Sequence, residues 1–306
     1  MAQSFCNNIG SFNTVVNNIT AAEDKSKILA WLSPLSPGVR HQDVRNSRIE
    51  NVGEWILETE EFKSWYASSG GGGSDNAVLF CYGDPGVGKT FIRYQGRISV
   101  NGRKRASVLT CCDVSSLVID RLCDQVRSPG MAVACFYFDF GAQKEQSPAN
   151  MLGAVLKQIV SGLEEVPKEI ARAYENQKRS IGGRELLLTD VVKMLENIAS
   201  KMRTFICIDA LDECMAEYRV KILDSLNQVL RGSLGTRMFV TGRPHIEAEV
   251  GKRLSGRGTA IRITPQRHDI ISYLHRRLEE DTTPDAMDGN LKADIMKKIS
   301  KDVSEM

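Results

Sequence analysis

Residues 77–90 read AVLFCYGDPGVGKT, and this stretch decides the fold. The run 77–82 is short, apolar and partly aromatic, the composition of a buried strand. It empties into the pattern G-x-x-x-x-G-K-[ST], formed by Gly83, Asp84, Pro85, Gly86, Val87, Gly88, Lys89 and Thr90. The glycines let the backbone turn its amides towards phosphate oxygens. Lys89 is placed to reach β- and γ-phosphates, and the Thr90 hydroxyl to hold Mg²⁺. A glycine turn ending in Lys-Thr by chance would lack the strand in front of it.

Outward from this loop, short apolar runs alternate with stretches of helical periodicity. Strands are expected at 77–82, 132–140, 204–210, 236–242 and 259–264, and helices at 115–126, 148–163, 189–202 and 217–230. That alternation predicts an α/β fold, a three-layer sandwich around a five-stranded parallel sheet. Upstream, Ile28, Leu29 and Leu32 mark the apolar face of a helix beginning at a Thr20 cap and broken by SPLSPG. A second short helical stretch, VGEWILETEEF, precedes Trp65 and the flexible connection SSGGGGSD. The tail, carrying Ile270, Ile271, Leu274, Leu278, Leu291, Ile295 and Ile299, reads as helical throughout.

The second chemical constellation is TFICIDALDEC, residues 204–214. Its apolar run ends in Asp209 at the carboxyl end of a strand, where ligands gather in open α/β sheets. An acid there can accept a Mg²⁺ water shell, and Asp212 or Glu213 can orient an attacking water. Glu213 is favoured as the polarising base and Asp212 is its rival; the bland alternative is that these acids cap the next helix. A third motif, RMFVTGRPH at 237–245, ends a strand at Thr241 and Arg243, where an arginine can sense a γ-phosphate. It can equally be a surface arginine before a proline turn.

GDPGVGKT, FICIDALDE and FVTGRP in this order resemble a NACHT-type signal-transduction ATPase, in the nephrocystin-like form found in large fungal NOD-like receptors. ILAWLSPLSPGVRHQDVR followed by VGEWILETEEFKSW is similar to the lead-in of those proteins, and the likeness spans nearly all of residues 26–305. The resemblance implies that Val52 and Gly53 pack near the adenine. TPQRHDIISYLHRRL resembles the start of the helical domain that follows the ATPase core, with Pro265 near the nucleotide. It implies ATP/ADP and Mg²⁺ as cofactors, slow hydrolysis coupled to assembly, and self-association or receptor-type protein partners. The expected organisation is an uncharged, Asn-rich segment (1–20), a helical lead-in (21–69), the ATPase core (70–265) and the start of a helical domain (266–306). The family's effector, winged-helix and repeat domains are expected to be missing. Residues 4–20 loosely resemble the short amyloid-forming motifs of some fungal receptors.

One departure concerns the phosphate loop itself. Such a loop must run into a helix, whose first amides and dipole hold phosphate, yet the helical text SSLVIDRL begins only at Ser115. Residues 93–114 intervene, with a hairpin-like RISVNGRKRASVLT centred on Asn101-Gly102. Without them the text reads GDPGVGKTFISSLVIDRL, a continuous loop and helix. Codons for Arg93-Tyr94, Leu109-Thr110 and Val114-Ser115 can supply splice-donor, branch-point and acceptor sequences in the correct order. The insert is therefore expected to be a translated intron without function, and a nonenzymatic fragment with impaired nucleotide binding is the alternative to the switch.

Composition bounds the rest. A net charge of +2 with 25% charged residues implies no general affinity for nucleic acid. The eight cysteines show no metal-binding spacing; Cys81, Cys135 and Cys207 lie within strand-like runs, so reduced thiols in a cytoplasmic protein are expected. No signal peptide and no apolar run of about 18 residues occurs, so no membrane partner is expected.

Overall fold

A computed structural model describes residues 23–67, 76–83, 114–125, 130–179, 186–254, 258–264 and 266–279, with short helical pieces further on. Asp84 to Thr90, the interruption up to residue 113, Pro265, the N-terminal segment and the apolar positions 291, 295 and 299 lie outside the described residues.

Five strands form one sheet: β1 (Val78–Tyr82), β2 (Met131–Tyr137), β3 (Arg203–Asp209), β4 (Thr236–Gly242) and β5 (Gly258–Arg262). Their order is β2-β3-β4-β1-β5 and every pairing is parallel. β4 is inserted between the strand that opens the phosphate loop and the strand that carries Asp209. Every residue of β4 is buried, which explains its unbroken apolar text: a central parallel strand is covered on both faces.

Alternate residues of the strands feed two cores. Val78, Phe80, Ala134, Phe136, Ile206, Ile208, Met238 and Val240 pack with one set of helices. These are residues 23–32 (α1), α6 (Pro148–Ser161), α8 (Leu188–Ala199), α9 (Ala216–Gly232) and α10 (Glu247–Arg253), with α7 (Lys168–Arg179) adding Ile170. Leu79, Cys81, Cys135, Tyr137, Phe205, Cys207 and Phe239 face the other way. They meet α2 (Pro37–Ser47), α3 (Trp55–Glu58), α4 (Glu60–Ala67) and α5 (Val114–Gln125). The result is the expected three-layer α/β sandwich around a five-stranded parallel sheet.

The lead-in is part of this sandwich and spans both of its faces. α1 lies on the first face, where Ile28 and Leu32 are buried and Gly153 of α6 approaches so closely that a Cβ there would overlap the Leu32 carbonyl. α2 to α4 supply most of the second layer, with Trp65 fully buried against Phe205 and Phe239.

Some expected boundaries differ: the strand expected at 132–140 stops at Tyr137 and the helix expected at 189–202 stops at Ala199. SPLSPG does end α1, but α2 starts inside it at Pro37, because proline suits the first position of a helix. VGEWILETEEF forms two helices, broken at Thr59, whose extended backbone ends α3 while its Oγ1 accepts the Phe62 amide. A further helix, α11 (Arg267–Glu279), follows β5 and buries Ile270 and Tyr273.

Candidate functional site

β1 delivers the chain to Gly83, which is buried at the carboxyl edge of the sheet. In the adjacent strand Thr241 is level with Cys81, and across the sheet Tyr137 is level with Asp209. With strands about 4.8 Å apart, Asp209 lies roughly 10 Å along the sheet edge from the end of β1. The side chains of Asp209 and Thr241 share the face that carries α5, the helix downstream of the phosphate-loop motif.

Asp209 is 1% exposed and tightly held. Its Oδ1 accepts hydrogen bonds from the Ser115 hydroxyl at the start of α5 and from Thr241 Oγ1 at 2.6 Å. Thr241 Oγ1 in turn accepts the Ala210 amide at 3.0 Å. Ala210 has φ 53, in the left-handed region that a side chain disfavours. One threonine therefore fixes both the carboxylate and the strained turn immediately after it.

That turn launches Leu211–Glu213, a single 3₁₀ turn that separates the two rival acids. Asp212 is occupied: Oδ1 accepts the Arg243 amide at 3.1 Å, and Oδ2 lies 3.1 Å from Arg243 Nε. Glu213 faces the loop after β2, where Phe140 donates its main-chain N–H to Oε2 at 3.1 Å. Burial pushes the Glu213 carboxyl above its ordinary range. The Phe140 N–H pulls it back, and the neighbouring charges of Asp212, Asp209 and Asp139 push it up again. A carboxyl with a raised pKa is suited to take a proton from water. Arg243 reaches the same edge, its side chain half exposed while paired to Asp212.

The lead-in reaches this edge through a polar network. His41 Nδ1 is 2.7 Å from the Tyr137 hydroxyl, and its Nε2 is 3.2 Å from Asp120 Oδ1 on α5. Arg48 lies 2.9 Å from Asp120 Oδ2 and donates to Ser116 Oγ at 3.1 Å. Burial opposes ionisation of Asp120, but His41, Arg48 and Arg45 together hold its carboxyl below the usual range.

Val52 and Gly53 sit at the far end of the same region. Val52 is buried, and beside it opens a cavity of about 640 Å³ lined by Arg45, Arg48, Asn51, Leu117 and Arg276 among others. The structure thus brings Asp209, Asp212, Glu213 and Arg243 together and places Val52 on a cavity walled by α2, α5 and α11. Ser115 and the Phe140 amide were missed in the sequence. Ser115 stands next to the interruption, where its text alone ties it to no acid, and a main-chain donor leaves no residue-type signal.

Burial raises the thiols of Cys81, Cys135 and Cys207, Cys135 to about 12, and no disulfide occurs among the described residues. No described helix is long and apolar enough to cross a membrane.

The sequence pattern of the family described as nephrocystin 3, N-terminal matches residues 51–95 and 113–243, more than half of the chain. It contains Asp209, Asp212, Glu213 and Arg243, at and just beyond the ends of β3 and β4, and it passes over residues 96–112. No curated protein matches. Among solved structures, the Aeropyrum pernix Orc1 protein in complex with DNA is similar with a TM-score of 0.40 and 18% identity. The alignment covers 73% of this chain and 49% of that one, so this chain spans about half its length.

Proposed function

The chain belongs to the nephrocystin 3, N-terminal family, and from that premise we propose that it is a NACHT-type nucleotide switch, binding Mg-ATP, hydrolysing it slowly and coupling nucleotide state to assembly. The observation that carries this reading is the fixed Asp209. A carboxylate at a strand tip, tied to the helix downstream of the phosphate-loop motif and to the neighbouring strand, couples three elements to whatever that carboxylate binds.

The residues present fit Mg²⁺. Among the described residues no group of three or more His, Cys, Asp or Glu could hold a metal by itself. Mg²⁺ asks for less: one or two hard oxygen ligands, with water and phosphate oxygens completing the shell. Thr90 and Asp209 would hold it, and the ion would neutralise phosphate charge. Gly83 through Thr90 would cradle phosphates, Lys89 contributing a charged hydrogen bond. Glu213 would accept a proton from water. Asp212 is the poorer base because Arg243 already neutralises it, and it would hold Arg243 at the γ-phosphate edge. Val52, Gly53 and Pro265 would enclose the base. The chain would act in the cytoplasm, in the manner of fungal NOD-like receptors, through self-association or receptor-type partners, with residues 21–69 as lead-in and 266–306 opening a helical domain.

Mg-ATP at about 100 times its dissociation constant should stabilise a competent fold by about 2.7 kcal/mol. Lys89→Ala should abolish the shift. Equal thermal shifts in the two proteins would dispose of the assigned loop.

One observation favours the second reading. The family's pattern omits residues 96–112, inside the 93–114 interruption. A phosphate loop separated from α5 loses the helix that anchors it. The chain with its interruption would then bind nucleotide weakly.

A further inference from the structure

The cavity beside Val52 has one wall whose attachment differs from the others. α11 comes last among the long described helices, and a buried carboxylate in its first turn reaches the lead-in. Asp269 is 3% exposed, and its Oδ1 accepts the Gly53 amide at 3.1 Å across 216 residues of sequence. His268 Nε2 lies 3.0 Å from the same oxygen, with its own ring largely in solvent. A charge-assisted bond of this kind is stronger and more directional than a neutral one.

The donor is constrained as well. Asn51 has φ 61 and Gly53 φ 84, so the segment leaves both helix and strand geometry. The Gly53 N–H, buried and without a ladder partner, must be satisfied from elsewhere in the fold. Val52, between the two left-handed residues, points into the structure and is 2% exposed.

Helical spacing links this contact to the cavity. Asp269, Tyr273 and Arg276 are four and then three residues apart, so they share one face of α11. Tyr273 is buried, and Arg276 lines the cavity opposite Arg48, Asn51, Val52 and Leu117. The face that begins with the Asp269 contact ends as the cavity wall.

We propose that Asp269 is a latch: by gripping the Gly53 amide it pins α11 against the Asn51–Gly53 turn and holds the Arg276 wall in place beside the cavity. The consequence for binding rests on the nucleotide reading above. A base held beside Val52 leaves faster when this grip opens, so the latch lengthens the residence time of the nucleotide. Arrival is governed by the open state and changes little.

The test uses the full chain and three variants. Asp269→Ala removes the acceptor, and Asp269→Asn keeps a carbonyl oxygen at the same place. Asp269→Ser, which shortens the side chain but leaves it polar, replaces the alanine variant if that one fails to fold. Hydrogen exchange is followed by mass spectrometry in peptides covering 49–57 and 267–276. Loss of the latch should speed exchange in both segments together by about tenfold or more, while Asp269→Asn stays within about threefold of wild type. In parallel, a fluorescent ATP analogue should dissociate about tenfold faster from Asp269→Ala with its association rate unchanged.

Unchanged exchange in Asp269→Ala overturns the latch, since the packing of Ile270 would then be holding α11 alone. Faster exchange with unchanged analogue release overturns the claim that the latch lengthens nucleotide residence. If wild type binds no analogue, the nucleotide reading fails by itself, and the exchange result still decides whether Asp269 is a latch.

Discussion

Replacing Thr241 by valine deletes one oxygen and leaves the side-chain volume nearly unchanged. Thr241 is 0% exposed, and its Oγ1 donates to Asp209 Oδ1 at 2.6 Å while accepting from Ala210 N at 3.0 Å. Two terms are lost together. A hydrogen bond to a charged group contributes about 1.5–3 kcal/mol, and leaving the buried Ala210 amide without its acceptor costs about 1–3 kcal/mol more. Burying a methyl in place of a hydroxyl returns about 1 kcal/mol. Ser115 still donates to Asp209, so the carboxylate is not abandoned and the upper end is not reached. The net expectation for Thr241→Val is a loss of about 3 kcal/mol. Thr241→Ser keeps the oxygen and loses a methyl group, for about 1 kcal/mol. Urea unfolding followed by circular dichroism measures both. If the valine variant lies within about 1 kcal/mol of wild type, or below the serine variant in cost, the clamp described here does not hold the site.

Three further outcomes follow from the acids at the strand tips. Glu213→Gln keeps an oxygen for the Phe140 N–H but cannot take a proton, so turnover should fall at least about tenfold while Mg-ATP binding persists; if Asp212→Asn slows turnover and Glu213→Gln does not, the base has been misassigned. The folded-state pKa of Glu213 lies above its ordinary value of 4.5, so the folded protein binds more protons than the unfolded chain between the two values, and ionisation costs stability above that window. Glu213→Gln should therefore be more stable than wild type at neutral pH, with the gap closing as pH falls below the ordinary value; a gap that widens in acid contradicts the shift. Phe140→Pro removes the N–H without disturbing its neighbour, because Asp139 is extended with ψ 121, as a residue before proline prefers. It should push the Glu213 carboxyl higher still, read by carbon NMR, whereas Phe140→Ala should leave it in place.

The sheet was legible because burial on both faces writes itself into composition. Phe205 to Ile208 and Met238 to Val240 are apolar without alternation, and they are central strands. Within the helical lead-in, the bounds of α2 are not legible, for the opposite reason: it buries only Pro37 and Val44, so no apolar stripe marks it. α7 does carry a stripe, with Ile170, Ala173 and Tyr174 at helical spacing among charged residues. In the site, Asp209, Asp212, Glu213 and Arg243 were readable because strand-end acids and an arginine carry chemistry in short local motifs. Their partners were not. Ser115 finds Asp209, His41 finds Tyr137 and Asp120, and Gly53 finds Asp269 only after the chain folds. Local text also left Asp212 and Glu213 as rivals, and it gave no sign that Asp212 would pair with Arg243.

In the proposed switch the GDPGVGKT loop holds nucleotide and residues 93–114 weaken its grip. Calorimetric titration of Mg-ATP into the full chain, into the chain with Ile92 joined to Ser115, and into the Lys89→Ala form of each measures this directly. The joined chain should bind at least about tenfold more tightly than the full chain, about 1.4 kcal/mol, and Lys89→Ala should remove binding from both. Binding of equal strength in the full and joined chains would contradict the reading of the interruption. No binding in the joined chain, or binding that survives Lys89→Ala, would contradict the nucleotide switch itself.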